Sequence, residues 1–449
     1  MKIFTPAFLL LASCFLALSA QAKVKLGNEV LVEKKFKALA GKRIGLITNP
    51  SGVNSKLNSV VEILHNAPEV KLVALFGPEH GIYGDIPAGD KVTNRVDLRT
   101  GLPVHSLYGE TRKPTTNMLI GLDALVMDIQ DAGVRSYTFI STMGLAMQAC
   151  GEAGIEFIVL DRPNPLGGER IEGPMVTDEF RSFVSQYDIP YLHGMTIGEL
   201  ARMINGERWV TNQCKLTIVP MKGWKRSMIW PDTKLQWIPT SPHVPEKDSP
   251  MYMAATGIIG ELGGAASVGV GYPAPFHCIG MPNMDMWKTA ETLNNYKIPG
   301  VKFKPLTYKP FYGPFTTNVI SGAQLYILDP RRAPLTALNF YIIEAVHKVS
   351  GRDLFVDARK IFDEAQEKKA KAAAEKAAKD KAEGKEPKKE EPPKTPVKPP
   401  TAFDMFDKVN GSDAVRKAIQ AGTPASEIVK SWQAGEDEFR KDRKKYLLY

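Results

Sequence analysis

The sequence predicts an α/β protein, in which a doubly wound, parallel sheet covered by helices precedes a second, smaller α+β domain. Three observations carry this expectation. Residues 41–221 alternate short β-rich runs with stretches of helical periodicity. The β-rich runs are continuously apolar, as strands covered on both faces must be. With 449 residues, 43% of them hydrophobic, the chain is also too long for one small core.

Strands are expected at Arg43–Thr48, 70–76, 124–129, Glu156–Leu160 and 216–220. Between the first two, Leu57, Val60, Val61 and Leu64 fall at i, i+3, i+4 and i+7, one face of a helix. Ile140, Met143 and Met147 mark another helix within 139–153. Thr196-Ile197-Gly198-Glu199 is a capping box that opens a third. Strand–helix alternation of this kind winds a sheet on both faces. Beyond residue 230 the pattern weakens. Residues 241–245 and 263–275 read as loops, 319–328 as a strand and 339–349 as a helix. Further on, Gly422 stops one helix and Thr423-Pro424 caps another, whose register includes Ile428, Trp432 and Phe439. The ending Tyr446-Leu447-Leu448-Tyr449 is apolar enough to require docking.

Residues 1–22 combine Lys2, an apolar middle and Ala20-Gln21-Ala22, the pattern of a secretory signal peptide cleaved before Lys23. The apolar run is short for a membrane span, so stable membrane insertion is not expected. Leu11-Ala12-Ser13-Cys14 resembles a lipobox, but apolar residues continue where a lipoprotein turns polar. The expected location is therefore the periplasm. Cys150, Cys214 and Cys278 remain, too few and too far apart for a disulfide framework. Residues 364–400 begin as a Lys/Ala/Glu run, read as a solvated helix, and end as a Pro-rich linker. The organisation expected is a signal over 1–22, the α/β domain over 23–225, and the second domain over 226–363 and 401–449, with 364–400 inserted. The net charge of +9 invites a nucleic-acid reading. Within 360–400, however, 12 Lys outnumber 9 acidic residues, and no basic stripe concentrates the rest, so no nucleic-acid partner is expected.

Ligands of doubly wound sheets sit beyond the carboxyl ends of the strands. Here those ends carry Asn49-Pro50-Ser51-Gly52, Gly77-Pro78-Glu79-His80-Gly81, the segment from Asp128 to Arg135, and Asp161-Arg162-Pro163-Asn164-Pro165. The glycine-rich dinucleotide and phosphate-loop motifs, the zinc H-E-x-x-H motif and the G-x-S-x-G elbow are all absent. Neither metal nor cofactor is expected. What remains is carboxylate chemistry on sugar-like or peptide-like ligands. Glu79 stands in a loop stiffened by Gly and Pro. A carboxyl withdrawn from water can donate a proton near neutrality; the alternative is an ion pair with an arginine. His80 either assists that transfer or hydrogen-bonds Glu79. Asp131, just past a strand end, is placed for a ligand, whereas Asp128 suits bonding to loop amides. Arg135 is a candidate for an anionic group and Tyr137 for a sugar face. Asp161, Arg162 and Asn164 are bracketed by prolines in a fixed loop. Asn49, Ser51 and His243 complete the candidate substrate-binding set, with turn capping or plain hydrogen bonding as their ordinary alternatives.

Further motifs fall in order along the chain. They are Gly45–Gly52, Phe76–Gly81, Ser106-Leu107-Tyr108-Gly109, Thr111-Arg112-Lys113-Pro114, Asp128-Ile129-Gln130-Asp131, Ser136–Met143, Asp161–Pro165, His193-Gly194-Met195-Thr196 and the terminal Tyr446–Tyr449. Together they resemble the exo-β-N-acetylmuramidase family of peptidoglycan recycling, long catalogued as a domain of unknown function. The resemblance runs from about residue 28 to the end, apart from the 364–400 insertion. It implies a Rossmann-like catalytic domain, an auxiliary domain and an active cleft between them. It also implies a cofactor-free glycosidase releasing N-acetylmuramic acid from the non-reducing ends of peptidoglycan fragments. Glu79 matches the glutamate of the family's G-P-E-H-G motif and is its candidate general acid/base. Asp131 or Asp161 would be the second carboxylate or an electrostatic stabiliser. One departure stands out. Many relatives have Ser-Glu-Gly-Arg-Gly-Thr where this chain reads Ser267-Val268-Gly269-Val270-Gly271-Tyr272, and Ser-Pro-Asn where it reads Ser241-Pro242-His243. The two valines keep open a non-catalytic binding protein for wall fragments, or an amidase or esterase on the same scaffold.

Overall fold

The computed structural model describes residues 23–383 and 400–449. The expected signal peptide and most of the Pro-rich part of the insertion lie outside those residues. The larger sheet contains β1 (Arg43–Thr48), β2 (Lys71–Gly77), β3 (Arg95–Val96), β4 (Pro103–Ser106), β5 (Ala124–Asp128), β6 (Glu156–Leu160) and β7 (Lys215–Val219). Its order is β3-β4-β2-β1-β5-β6-β7, parallel throughout except for the β3–β4 pair. Leaving out the short β3, the parallel strands follow the doubly wound order, with its switch point between β1 and β5. Every residue of β5 and β6 is buried, which is why their sequences are apolar without alternation.

Helices flank the sheet where the periodicity placed them. Met143 and Met147 of Phe139–Ala153 are fully buried, and Ile140 nearly so. At Ile197–Gly206 the capping box forms as expected: Glu199 N–H donates to Thr196 Oγ1 at 3.2 Å, and Thr196 N–H to Glu199 Oε2 at 3.0 Å. One helix starts later than expected. Leu57 is exposed at φ +67°, and the helix runs only over Val60–His65 with Ser59 as its N-cap. The edge strand β3 and its neighbour β4 give no periodic signal, because they are only two and four residues long.

The second sheet is antiparallel, with β8 (Cys278–Met281), β9 (Val301–Tyr308) and β10 (Ile320–Ile327) in the order β8-β10-β9. It shares a core with helices Ser249–Gly260, Met286–Asn295 and Leu335–Ser350 through Ile258, Ile279, Leu293, Leu325 and Leu338. The helix Leu354–Ala382 is anchored there by Leu354, Phe355 and Ala358, and its later turns stand in solvent. The chain end then returns to the first sheet. Arg202 Nη1 donates to the carbonyls of Tyr446 and Leu447. The Tyr449 hydroxyl donates to Asp161 and accepts from Met221 N–H at 2.8 Å. Cys150, Cys214 and Cys278 are free and buried. Among the described residues no helix is long and apolar enough to cross a membrane.

Candidate active site

β2 ends at Gly77, and the chain turns at once. Gly81 N–H donates to the Pro78 carbonyl at 2.9 Å, closing a turn with Glu79 and His80 at its centre. His80 takes φ +71°, a left-handed conformation that histidine tolerates better than most side chains. Its Nδ1 lies 2.8 Å from the Ile86 carbonyl oxygen, which pins the buried ring. His80 therefore shapes the turn, and Glu79 stands half-buried at its tip.

Both oxygens of Glu79 are held. Oε1 accepts from Gly89 N–H at 3.2 Å and Oε2 from the Thr138 hydroxyl at 2.6 Å. Thr138 precedes the helix Phe139–Ala153 and makes no side-chain capping bond to it. Tyr108, just past β4, faces Glu79. Burial, and then the charge of Glu79, pushes its phenol up to about 12, while Arg112 acts in the opposite direction. The Arg112 guanidinium lies 4.9 Å from the Tyr108 ring centroid and 4.1 Å from that of Phe183.

A second carboxyl stands near by. Asp131 is 6% exposed. Its Oδ2 accepts from Gly133 N–H at 2.7 Å, while Oδ1 is buried without a hydrogen-bond partner among the described residues. Burial pushes Asp131 up to about 7, and the amides of Ala132 and Gly133 offset only part of that rise. The Tyr137 hydroxyl lies 2.6 Å from Thr240 Oγ1. Burial chiefly raises its pKa, and the charges of both Asp131 and Glu79 add to the rise. One phenol thus senses both carboxylates.

His243 is half-buried, with Nε2 2.8 Å from the Tyr312 hydroxyl and the two rings stacked at 23°. Burial, then the neighbouring His80, pulls its pKa down. Tyr312, the partner of His243, and the adjacent Phe311 are both exposed.

Six further expected site residues are each engaged by internal partners. The switch point between β1 and β5 is filled. There the Ser51 hydroxyl donates to Asn49 Oδ1 at 2.5 Å and accepts from Gln130 N–H at 2.9 Å, while Asn49 Nδ2 donates to the Thr240 carbonyl. Arg162 Nε pairs with Asp128 Oδ1 at 2.5 Å, and its Nη2 donates to the Val53 carbonyl. The space left beside Ser51, Gln130 and Arg162 is about 20 Å³, room for one water and not for a sugar. Asp161 is 0% exposed and accepts from Arg162 N–H, Gly198 N–H, Thr196 Oγ1 and Tyr449 OH. Four donors occupy a carboxylate's lone pairs, so Asp161 anchors a loop, and burial still raises it to about 6. Arg135 donates to Ser185 Oγ and to the carbonyls of Pro174, Ile189 and Val409, and burial pulls it down to about 9. Asn164 bridges the Met195 carbonyl and Leu166 N–H. Val268 and Val270 pack into the apolar core of the second domain. Among the described residues, no group of three or more His, Cys, Asp or Glu is arranged to hold a metal ion.

The family models for exo-beta-N-acetylmuramidase NamZ match residues 44–248 with the N-terminal model and 251–449 with the C-terminal one. The chain belongs to the NamZ family. The peptidoglycan beta-N-acetylmuramidase NamZ of Bacillus subtilis (strain 168) is 40% identical over 427 residues, covering 95% of this chain and 92% of that relative. Among solved structures, a DUF1343 family protein from Bacteroides fragilis NCTC 9343 matches with a TM-score of 0.81 and 45% identity, over 95% of this chain and 99% of its own. A second from the same organism matches with a TM-score of 0.69 and 27% identity, over the same shares. On this NamZ scaffold, Thr138 and Tyr108 contact Glu79, and Arg112 and Phe183 stack against Tyr108; residue types alone assign a role to none of the four. The signal for Tyr108 is its place just past β4, a strand that periodicity does not reveal.

Proposed function

We propose that this protein is an exported, exo-acting glycoside hydrolase that releases N-acetylmuramic acid from the non-reducing ends of peptidoglycan fragments, with Glu79 as general acid/base. The observation that carries the reading is the Glu79 turn. It holds one half-buried carboxyl by an amide and a hydroxyl on a chain whose family is that of the exo-β-N-acetylmuramidases. Glycosidic cleavage needs a proton for the leaving oxygen and a second group that activates water, attacks the sugar or stabilises the oxocarbenium ion. Glu79 supplies the proton. Asp131, with one unpartnered oxygen and a charge that, like that of Glu79, acts on the Tyr137 phenol, supplies the second function. The exposed Phe311 and Tyr312 offer faces for a sugar ring. Export rests on the leader pattern of residues 1–22 and places the enzyme where wall fragments arise.

Val268 and Val270 favour a second reading, a non-catalytic binder of wall fragments, because they replace an acid and a cation of many relatives. One assay separates the two. The mature protein and Glu79→Gln are incubated with a chromogenic N-acetylmuramide and with a defined wall disaccharide. Free sugar from the wild type, with a loss of about 10²–10⁴-fold in the variant, is expected for a general acid. Tight binding without turnover by either protein establishes the binder. Equal rates would remove Glu79 from the mechanism and leave the reaction class standing.

A further inference from the structure

Muramic acid carries an anionic 3-O-lactyl group, and the two arginines of the strand-end loops, Arg135 and Arg162, are engaged elsewhere. Arg135 gives its donors to carbonyls and Ser185, and Arg162 is paired with Asp128. Arg112 differs from both. It is exposed, and among the described residues no carboxylate forms an ion pair with it. Its guanidinium rests on the rings of Phe183 and Tyr108, whose centroids lie 6.0 Å apart. Such stacking holds the cation's plane while leaving its N–H edge for a ligand.

The shelf and the proton donor are tied to the same helix, Phe139–Ala153, and the residue before it. Ser141 Oγ donates to the Phe183 carbonyl at 2.7 Å. Ser141 lies one helical turn beyond Thr138, which holds Glu79. Tyr108 forms the other side of the shelf and interacts with both Glu79 and Arg112.

We infer that Arg112, stacked on Tyr108 and Phe183, is the anion-recognising residue of the Glu79 site and takes the lactyl carboxylate of muramic acid. This rests on the muramidase reading. The guanidinium offers a planar two-donor edge that matches a carboxylate. In the sugar, C3 is two bonds from the anomeric carbon, so the cation must stand close to the proton donor without neutralising it. An intervening phenol between Arg112 and Glu79 meets both conditions.

The test compares wild type, Arg112→Gln and Arg112→Lys on a chromogenic N-acetylmuramide and on its lactyl methyl ester. Wild type is expected to lose about 10- to 100-fold in kcat/KM on the ester, mainly through KM. Arg112→Gln is expected to lose a similar factor on the acid and to treat acid and ester alike, with Arg112→Lys between the two. Unchanged melting temperatures show that the variants fold. Retained acid-over-ester preference in Arg112→Gln overturns the inference. If wild type turns over neither substrate, the muramidase reading has failed, and calorimetric titration then decides Arg112 separately. Preference of the wild type for N-acetylmuramic acid over N-acetylglucosamine, lost in Arg112→Gln, supports the inference; no preference, or one the variant keeps, overturns it.

Discussion

Thr138 donates its hydroxyl to Glu79 at 2.6 Å, tying the turn after β2 to the start of the helix that follows β5. A hydrogen bond to a charged acceptor contributes about 1.5–3 kcal/mol. Thr138→Val keeps the shape and removes the donor. Its kcat is expected to fall about 10- to 100-fold with KM little changed, and Thr138→Ser should restore most of the loss. Steady-state kinetics of the three proteins check this. A KM effect alone would make Thr138 a binding contact and not a positioning residue.

Asp131 gives stability a pH dependence of definite sign. Burial raises its pKa from the ordinary 3.8 to about 7. Between those values the folded chain holds a proton that the unfolded chain has lost. The stabilisation is therefore complete below about 4 and is lost as pH rises toward about 7. The difference corresponds to at most about 4 kcal/mol. Asp131→Asn is neutral at every pH, so its stability relative to wild type should improve from pH 4 to pH 8. Asp161 and Glu261, also raised by burial, titrate in both proteins and cancel in the difference. Urea unfolding at three pH values decides, and a pH-independent difference contradicts the assignment.

Asp161 is expected to matter for folding. Asp161→Ala leaves four donors without their acceptor and should cost at least about 3 kcal/mol. Tyr449→Phe removes a hydroxyl that serves both Asp161 and Met221, at about 1–2 kcal/mol, with kcat per folded molecule unchanged. Wild-type stability combined with lost kcat in Asp161→Asn would return this residue to the chemistry.

The strands of the larger sheet were legible because burial on both faces leaves an apolar run with sharp ends. The Glu79 turn was legible for a related reason, since Gly and Pro around one carboxyl mark a fixed backbone. Asp161, Arg162 and Arg135 were harder to place. A strand-end loop rich in charge looks the same whether its side chains face a ligand or each other, and only long-range partners such as Val409 for Arg135 tell the two apart. β8 and β9 give little signal because Cys278–Met281 is too short for a period, and because Lys302 and Lys304 on one face and Pro305 on the other interrupt the apolar pattern of β9. Arg112 gave no local signal. Its neighbour Phe183 is distant in sequence and meets it only through the fold.

Gly133 links the Asp131 carboxyl to the Asn164 loop, and it is a position where a side chain cannot be added. It has φ +78°, and a Cβ built on it would stand 2.3 Å from Asn164 Oδ1. Asn164 cannot easily yield, because Leu166 N–H and the Met195 carbonyl fix its amide. Gly133→Ala therefore meets two costs: about 1–2 kcal/mol for a left-handed L-residue, and the displacement of a buried amide. The second cost disappears if Asn164 is shortened, whereas the first does not. Unfolding free energies of Gly133→Ala, Asn164→Ala and the double variant separate them. The double variant is expected to lose at least about 1 kcal/mol less than the sum of the singles. Strict additivity would place the whole effect in the backbone and remove the steric link between the Asp131 and Asn164 loops.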